Sequence, residues 1–141
     1  MTTLSTGSDL NIENEIGNII RFSVWRIPKT NHEALMQLEK PIREFFKNAG
    51  VIQEIFHLKV GSDEQDKMAE QMGMTNIAKT IAAKQDEEVW LELQFYRDQK
   101  HLDDLVAEVQ KNENALKIGK QFMDLLTPGS CIEGWFDHVN I

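Results

Sequence analysis

The sequence predicts an α+β domain built on one antiparallel sheet. Four segments alternate apolar and polar residues with the period of a β-strand. The segments between them repeat apolar residues at helical spacing. Because strands and helices are mixed along the chain, we expect a sheet with helices packed against it.

The first half of the chain predicts two strands and the helix between them. Residues 19–27 alternate strictly, and residues 51–60 do so less regularly. The intervening helix contains Pro41, which is expected to kink or split it. Residues 62–84 form an insert, predicted as one or two short helices interrupted at Gly73.

The second half repeats this arrangement. Residues 88–96 alternate most clearly, Asp98 caps a helix, and a second helical stretch follows. The segment 127–129 ends that stretch, and residues 131–139 form the last strand. The complete order is the split βαβ, or ferredoxin-like, arrangement: a four-stranded antiparallel sheet with helices on one face and extra short helices inserted between strands 2 and 3.

The length of 141 residues allows one hydrophobic core. Residues 1–16 are polar and are expected to form a flexible leader, and residues 17–141 a single domain.

Composition excludes several classes of partner. A net charge of −8 and a pI near 5.0 argue against nucleic acid and an anionic membrane surface. Cys131, the single cysteine, cannot form an intrachain disulfide, and the N-terminus lacks the basic and apolar regions of a signal peptide. We therefore expect a cytoplasmic protein.

The strands predict two unlike sides of the sheet. One side is uniformly apolar, and the helices are expected to cover it. The other side mixes aromatic and polar residues, among them all three tryptophans and the single tyrosine. This second side comprises Arg21, Ser23, Trp25, Gln53, Ile55, His57, Trp90, Glu92, Gln94, Tyr96, Cys131, Glu133 and Trp135.

An exposed side with four such rings would exceed the apolar patch typical of a monomer. We therefore expect a second subunit or a ligand to cover it. Aromatic surface set with a few polar groups is typical of a cavity wall. The prediction is a homodimer that holds a small apolar or aromatic molecule between its two sheets.

Three residues are candidates for acid–base chemistry. Glu92 and Glu133 would have raised pKa values in a dry aromatic cavity. The alternative is an ion pair with Arg21 or a hydrogen bond across the dimer. His57 could shuttle protons or bind a metal, or a neighbour could simply satisfy its ring. A register slip of one residue in strand 2 would move His57 to the other face.

Six residues are candidates for ligand binding. Trp25, Trp90 and Trp135 could stack on a flat ligand, or act as hot spots of a subunit interface. Arg21, Gln94 and Tyr96 add polar groups beside them. No histidine pair has metal-ligand spacing with a carboxylate, and there is no phosphate loop or nucleotide fingerprint, so the sequence predicts neither metal nor cofactor.

The element order and the mixed second face resemble the dimeric α+β barrel superfamily, in which two ferredoxin-like subunits pack sheet to sheet. More narrowly, the chain resembles the YbaA-like family of unknown function. The similar segments are residues 86–95 (DEEVWLELQF), 114–119 (NALKIG) and 132–136 (IEGWF). The chain departs from that family by its longer leader and by Trp135.

The resemblance implies a dimer and leaves three hypotheses open. The first is ligand binding between the sheets. The second is a cofactor-independent enzyme of the monooxygenase, isomerase or lyase kind, with Glu92, Glu133 and His57 as acid–base groups. The third is a purely structural dimer module.

Overall fold

The computed structural model describes residues 17–141. The predicted leader, residues 1–16, lies outside the described residues. The strands and helices follow one another as β1 (Ile19–Pro28), α1 (His32–Asn48), β2 (Ile52–His57), α2 (Asp63–Gln71), α3 (Ile77–Thr80), β3 (Glu87–Tyr96), α4 (Gln99–Lys111), α5 (Glu113–Leu125) and β4 (Ile132–Asp137), with one 3-10 turn at Lys29–Asn31.

The four strands form one sheet in the order β2-β3-β1-β4, and all neighbours run antiparallel. The predicted α+β class with a four-stranded antiparallel sheet is confirmed. The insert also divides as predicted, into α2 and α3 on either side of Gly73.

Local hydrogen bonds explain where most helices begin. The Ser62 hydroxyl accepts from the backbone N–H of Gln65, whose side chain accepts from the Ser62 backbone, and this capping box starts α2. Asp98 and Asn112 cap α4 and α5 with a side-chain oxygen that accepts from a backbone N–H of the first turn.

Pro41 does not split α1, which continues through it as one helix of 17 residues. Proline removes one backbone hydrogen bond, here to Gln37, and both residues lie on the solvent side of the helix. Water can therefore solvate the Gln37 carbonyl in place of that bond.

The predicted assignment of the two sheet faces is wrong. The helices cover the mixed aromatic and polar face, where Trp25 and Trp90 are 0% and 6% exposed in a core completed by Leu35 and Leu126. The Trp25 ring meets Phe122 of α5 edge to face, with 5.1 Å between the ring centroids. Alternation identifies the residues that share a face, but not the face that the helices cover.

The predominantly apolar face lies on the opposite side of the sheet, where Glu54 of β2, opposite Leu93, interrupts the apolar residues. The segment after α3 covers one end of it, where Ile81 packs against Val24 and Val89. The rest of this face is partly exposed within residues 17–141, and we call it the open sheet face. It is formed by Ile20, Phe22, Ile52, Phe56, Leu91, Leu93, Phe95, Ile132 and Phe136.

None of the helices within residues 17–141 has both the length and the apolar character needed to cross a membrane.

Candidate functional site

A cavity of about 430 Å³ lies between the sheet and helices α1, α4 and α5. Its volume is within the range of small-molecule sites. The helices contribute an almost entirely apolar wall: Ile42, Phe45, Phe46, Leu102, Leu105, Val106, Val109, Ala115, Ile118, Gly119, Phe122 and Met123. The strands contribute the polar side chains, so the two walls differ in chemistry.

The strand wall forms the floor of the cavity, and strand register places its polar residues in two rows. Arg21 of β1 lies opposite Gln94 of β3 and Trp135 of β4. Ser23 lies opposite Glu92 and Glu133 in the same way. Of the nine residues predicted for the site, Arg21, Glu92, Gln94, Tyr96 and Trp135 line the cavity.

A chain of hydrogen bonds fixes the floor. The Tyr96 hydroxyl donates to Gln94 Oε1 at 2.7 Å, and Gln94 Nε2 donates to Glu92 Oε2 at 2.6 Å. Gln53 of β2 donates from Nε2 to the same Glu92 oxygen at 3.4 Å. These bonds hold the Glu92 carboxylate in one orientation inside the protein, where the residue is only 5% exposed.

The two glutamates predicted as acid–base groups differ in charge behaviour. Burial raises the pKa of Glu92, against the opposing effects of Gln94, Arg21 and Gln53. The Arg21 guanidinium donates to Glu133 Oε2 at 3.2 Å and lowers the pKa of Glu133. The raised pKa predicted for both therefore holds for Glu92, whereas Glu133 forms the alternative ion pair.

A second buried carboxylate, Glu39 of α1, lies beside Glu92. Gln53 Nε2 donates to Glu39 Oε1 at 3.1 Å and so bridges the two acids. Burial, reinforced by the Glu92 charge, raises the pKa of Glu39 to about 7. Neither Glu39 nor Glu92 takes part in an ion pair with another residue of 17–141.

The other predicted residues do not line this cavity. Trp25 and Trp90 are core residues covered by the chain's own helices, which removes the argument that a ligand or a second subunit must cover them. His57 stacks on Trp90 at the far end of the sheet, with 4.6 Å between centroids and 11° between ring planes. The structure therefore does not bring His57 together with Glu92 and Glu133.

His57 belongs instead to a cluster around Glu88. His32 Nδ1 lies 2.9 Å from Glu88 Oε1, and Trp90 Nε1 donates to the same oxygen at 3.1 Å. His57 Nε2 is 4.0 Å from Glu88 Oε2. The Glu88 hydrogen bond raises the pKa of His32. Within residues 17–141, no group of three or more histidine, cysteine, aspartate or glutamate side chains is placed to hold a metal ion.

The helices bring two further residues to the site that the strand pattern did not predict. Glu39 is a charged residue, a type that is rarely buried, and Gly119 has no side chain that would mark it as part of a cavity wall. Gly119 lines the cavity, and a methyl group added there would meet no atom within 4 Å. The available signal was the position of both residues on the apolar stripe of their helices.

No protein-family model matches the chain, and no curated protein matches it either.

Proposed function

We propose that this protein binds a small, partly apolar molecule in the cavity between its sheet and its helices. One observation carries the proposal: a helical wall of aliphatic and aromatic side chains faces a strand floor of hydrogen-bonding groups. Such a contrast suits a ligand that has an apolar body and one polar group. The ligand site predicted between two sheets is replaced by this site, because the predicted polar residues face the helices.

We further propose a ferredoxin-like subunit that pairs with a second copy through the open sheet face. The element order and the strand order β2-β3-β1-β4 support this assignment. Phe56, Ile132 and Phe136 are 47%, 52% and 55% exposed on that face, which is unfavourable in water.

The size of the open sheet face is consistent with an interface. Four strands at about 4.8 Å spacing and six residues at about 3.3 Å each give roughly 19 by 20 Å. This area, about 380 Å², lies within the roughly 300–600 Å² of the largest apolar patch on a typical monomer. It supplies about half of the roughly 800 Å² per partner of a standard interface, so residues at its edge would contribute the rest.

The geometry favours binding over the enzymatic hypothesis. Glu92 and Glu133 flank Ser23 from two different strands, which separates their backbones by about 9–10 Å. Glu133 is paired to Arg21, and His57 lies outside the cavity. The cavity also argues against a purely structural dimer, which needs no such space.

The test is a fluorescence titration with N-phenyl-1-naphthylamine, an uncharged probe that brightens in apolar sites. We expect saturable binding of one probe per chain. Gly119→Leu should weaken binding about tenfold or more, because the new side chain enters open space in the cavity. Since leucine favours a helix over glycine, this variant should fold.

Two matched variants complete the experiment. Gly119→Ala should retain binding, because alanine fills little of the cavity. Leu93→Lys alters the open sheet face on the other side of the sheet and should also retain it. Loss of binding in Leu93→Lys with full binding in Gly119→Leu would place the probe on the open sheet face and overturn the proposal.

A further inference from the structure

We infer that the ligand of the cavity is an organic cation, a protonated amine on an apolar or aromatic body, and that the Glu92 carboxylate binds its ammonium group. This inference rests on the proposed binding function and adds the chemical class of the ligand.

The charges that border the cavity do not balance. Arg21 is the cationic side chain of the lining, and its guanidinium is already paired with Glu133 at 3.2 Å. The same guanidinium lies 5.8 Å from the centroid of the Trp135 ring. Arg21 is thus bonded to Glu133, and its charge acts on Glu92 only from a distance, so Glu92 has no ion-pair partner among residues 17–141.

Glu92 also has hydrogen-bonding capacity to spare. Both bonds that it receives from residues 17–141 end on Oε2, from Gln94 and from Gln53. Its Oε1 accepts none from these residues, although a carboxylate oxygen can accept two. A buried carboxylate with a free oxygen that lines a cavity is suited to a donor on the ligand.

The neighbouring Glu39 strengthens the preference for positive charge. It is 7% exposed, its Oε2 has no partner among the described residues, and it shares the Gln53 amide with Glu92. Two carboxylates joined by one amide place negative potential at the polar end of the cavity. A cation there would offset the cost of burying both.

The remaining walls also suit a cation. The rings of Phe45, Phe46, Phe122, Tyr96 and Trp135 line the cavity. Aromatic faces attract organic cations, and more strongly where water is excluded. An anionic ligand would instead meet the Glu92 carboxylate and an Arg21 that is already paired.

The experiment compares three molecules that share a phenylethyl body and differ in the polar group: 2-phenylethylamine, 2-phenylethanol and 3-phenylpropionate. Each is titrated at pH 7.5 against bound N-phenyl-1-naphthylamine, and displacement gives its affinity. We expect the amine to bind about tenfold more tightly than the alcohol, and the carboxylate to bind most weakly. Glu92→Gln keeps the shape of the side chain and removes its charge, so it should reduce the ratio of amine affinity to alcohol affinity to about one.

A second readout does not depend on the variant folding. In the wild-type protein, the carboxyl ¹³C signal of Glu92 should titrate at lower pH with the amine bound than with the alcohol bound. Equal displacement by amine and alcohol, or an unchanged Glu92 titration, would overturn the cation inference while the binding function stands. Failure of the naphthylamine probe itself to saturate would overturn the proposed function as well.

Discussion

The same carboxyl group titrates differently at four positions in this chain. Burial raises the pKa of Glu39 and of Glu92 on the helix side of the sheet. Arg21 lowers the pKa of Glu133 at the rim. Burial alone would raise the pKa of Glu87, but bonds from Thr127, Lys84 and Arg26 lower it to about 2. Burial decides the direction of the pKa shift at Glu39 and Glu92, and hydrogen-bonding partners decide it at Glu133 and Glu87; the sequence shows neither.

Glu39→Gln should stabilise the protein at neutral and alkaline pH. The folded-state pKa of about 7 lies above the ordinary 4.5, so the folded state holds this proton more tightly. That stabilisation is complete below about pH 4.5 and is lost as pH rises through 7. Chemical denaturation should show that the free energy of unfolding of the variant, relative to the wild type, increases by about 2 kcal/mol between pH 5 and pH 8. A difference independent of pH would contradict the assigned environment.

Glu87→Gln should have the opposite dependence on pH. Glu87 bonds to Arg26 at 2.8 Å and to the Thr127 hydroxyl, joining β1, β3 and the segment after α5. Because its folded pKa is depressed, its stabilisation is present above pH 4.5 and is lost as pH falls toward 2. We expect the free energy of unfolding of Glu87→Gln to be about 1–3 kcal/mol lower than that of the wild type at pH 7. Urea denaturation should show that the difference in unfolding free energy between wild type and variant is smaller at pH 3 than at pH 7. An equal difference at both pH values would contradict the assigned role of Glu87.

At the scale of elements, alternation in the strands predicted which residues share a face of the sheet. Arg21, Gln94 and Gln53 were assigned to one side, and they do form one row. The covered side was not predictable, because Trp25 and Trp90 suit either a core or an interface. The packing of Phe122 against Trp25 decides between them, and it depends on how α5 returns to the sheet.

Helix α5 offers a prediction of its own. Gly119 lies within this helix without a positive φ, and an added methyl group would meet no neighbour. Gly119→Ala should therefore stabilise the protein by about 0.5–1 kcal/mol, since alanine loses less backbone entropy in a helix. Thermal denaturation measures the effect. An unchanged or lower melting temperature would mean that the site is more tightly packed than described.

At the scale of the whole molecule, the open sheet face predicts a homodimer. Size exclusion with light scattering should give about twice 16.2 kDa for the full chain. Leu93→Lys should give a monomer, because it places a charged side chain in the middle of that face. The variant should still fold, because Glu54 lies opposite position 93 on β2 and can pair with the lysine. Leu116→Lys is the matched control, since Leu116 is 50% exposed on α5. A wild-type monomer would mean that no second copy covers the face.

The most direct test of the binding site is a methyl-resolved NMR titration with N-phenyl-1-naphthylamine. Ile42 and Ile118 line the cavity, whereas Ile52 and Ile132 lie on the open sheet face. The proposed site predicts saturable shifts of the Ile42 and Ile118 methyl signals, with Ile52 and Ile132 unchanged. Shifts confined to Ile52 and Ile132 would contradict a ligand site between the sheet and the helices.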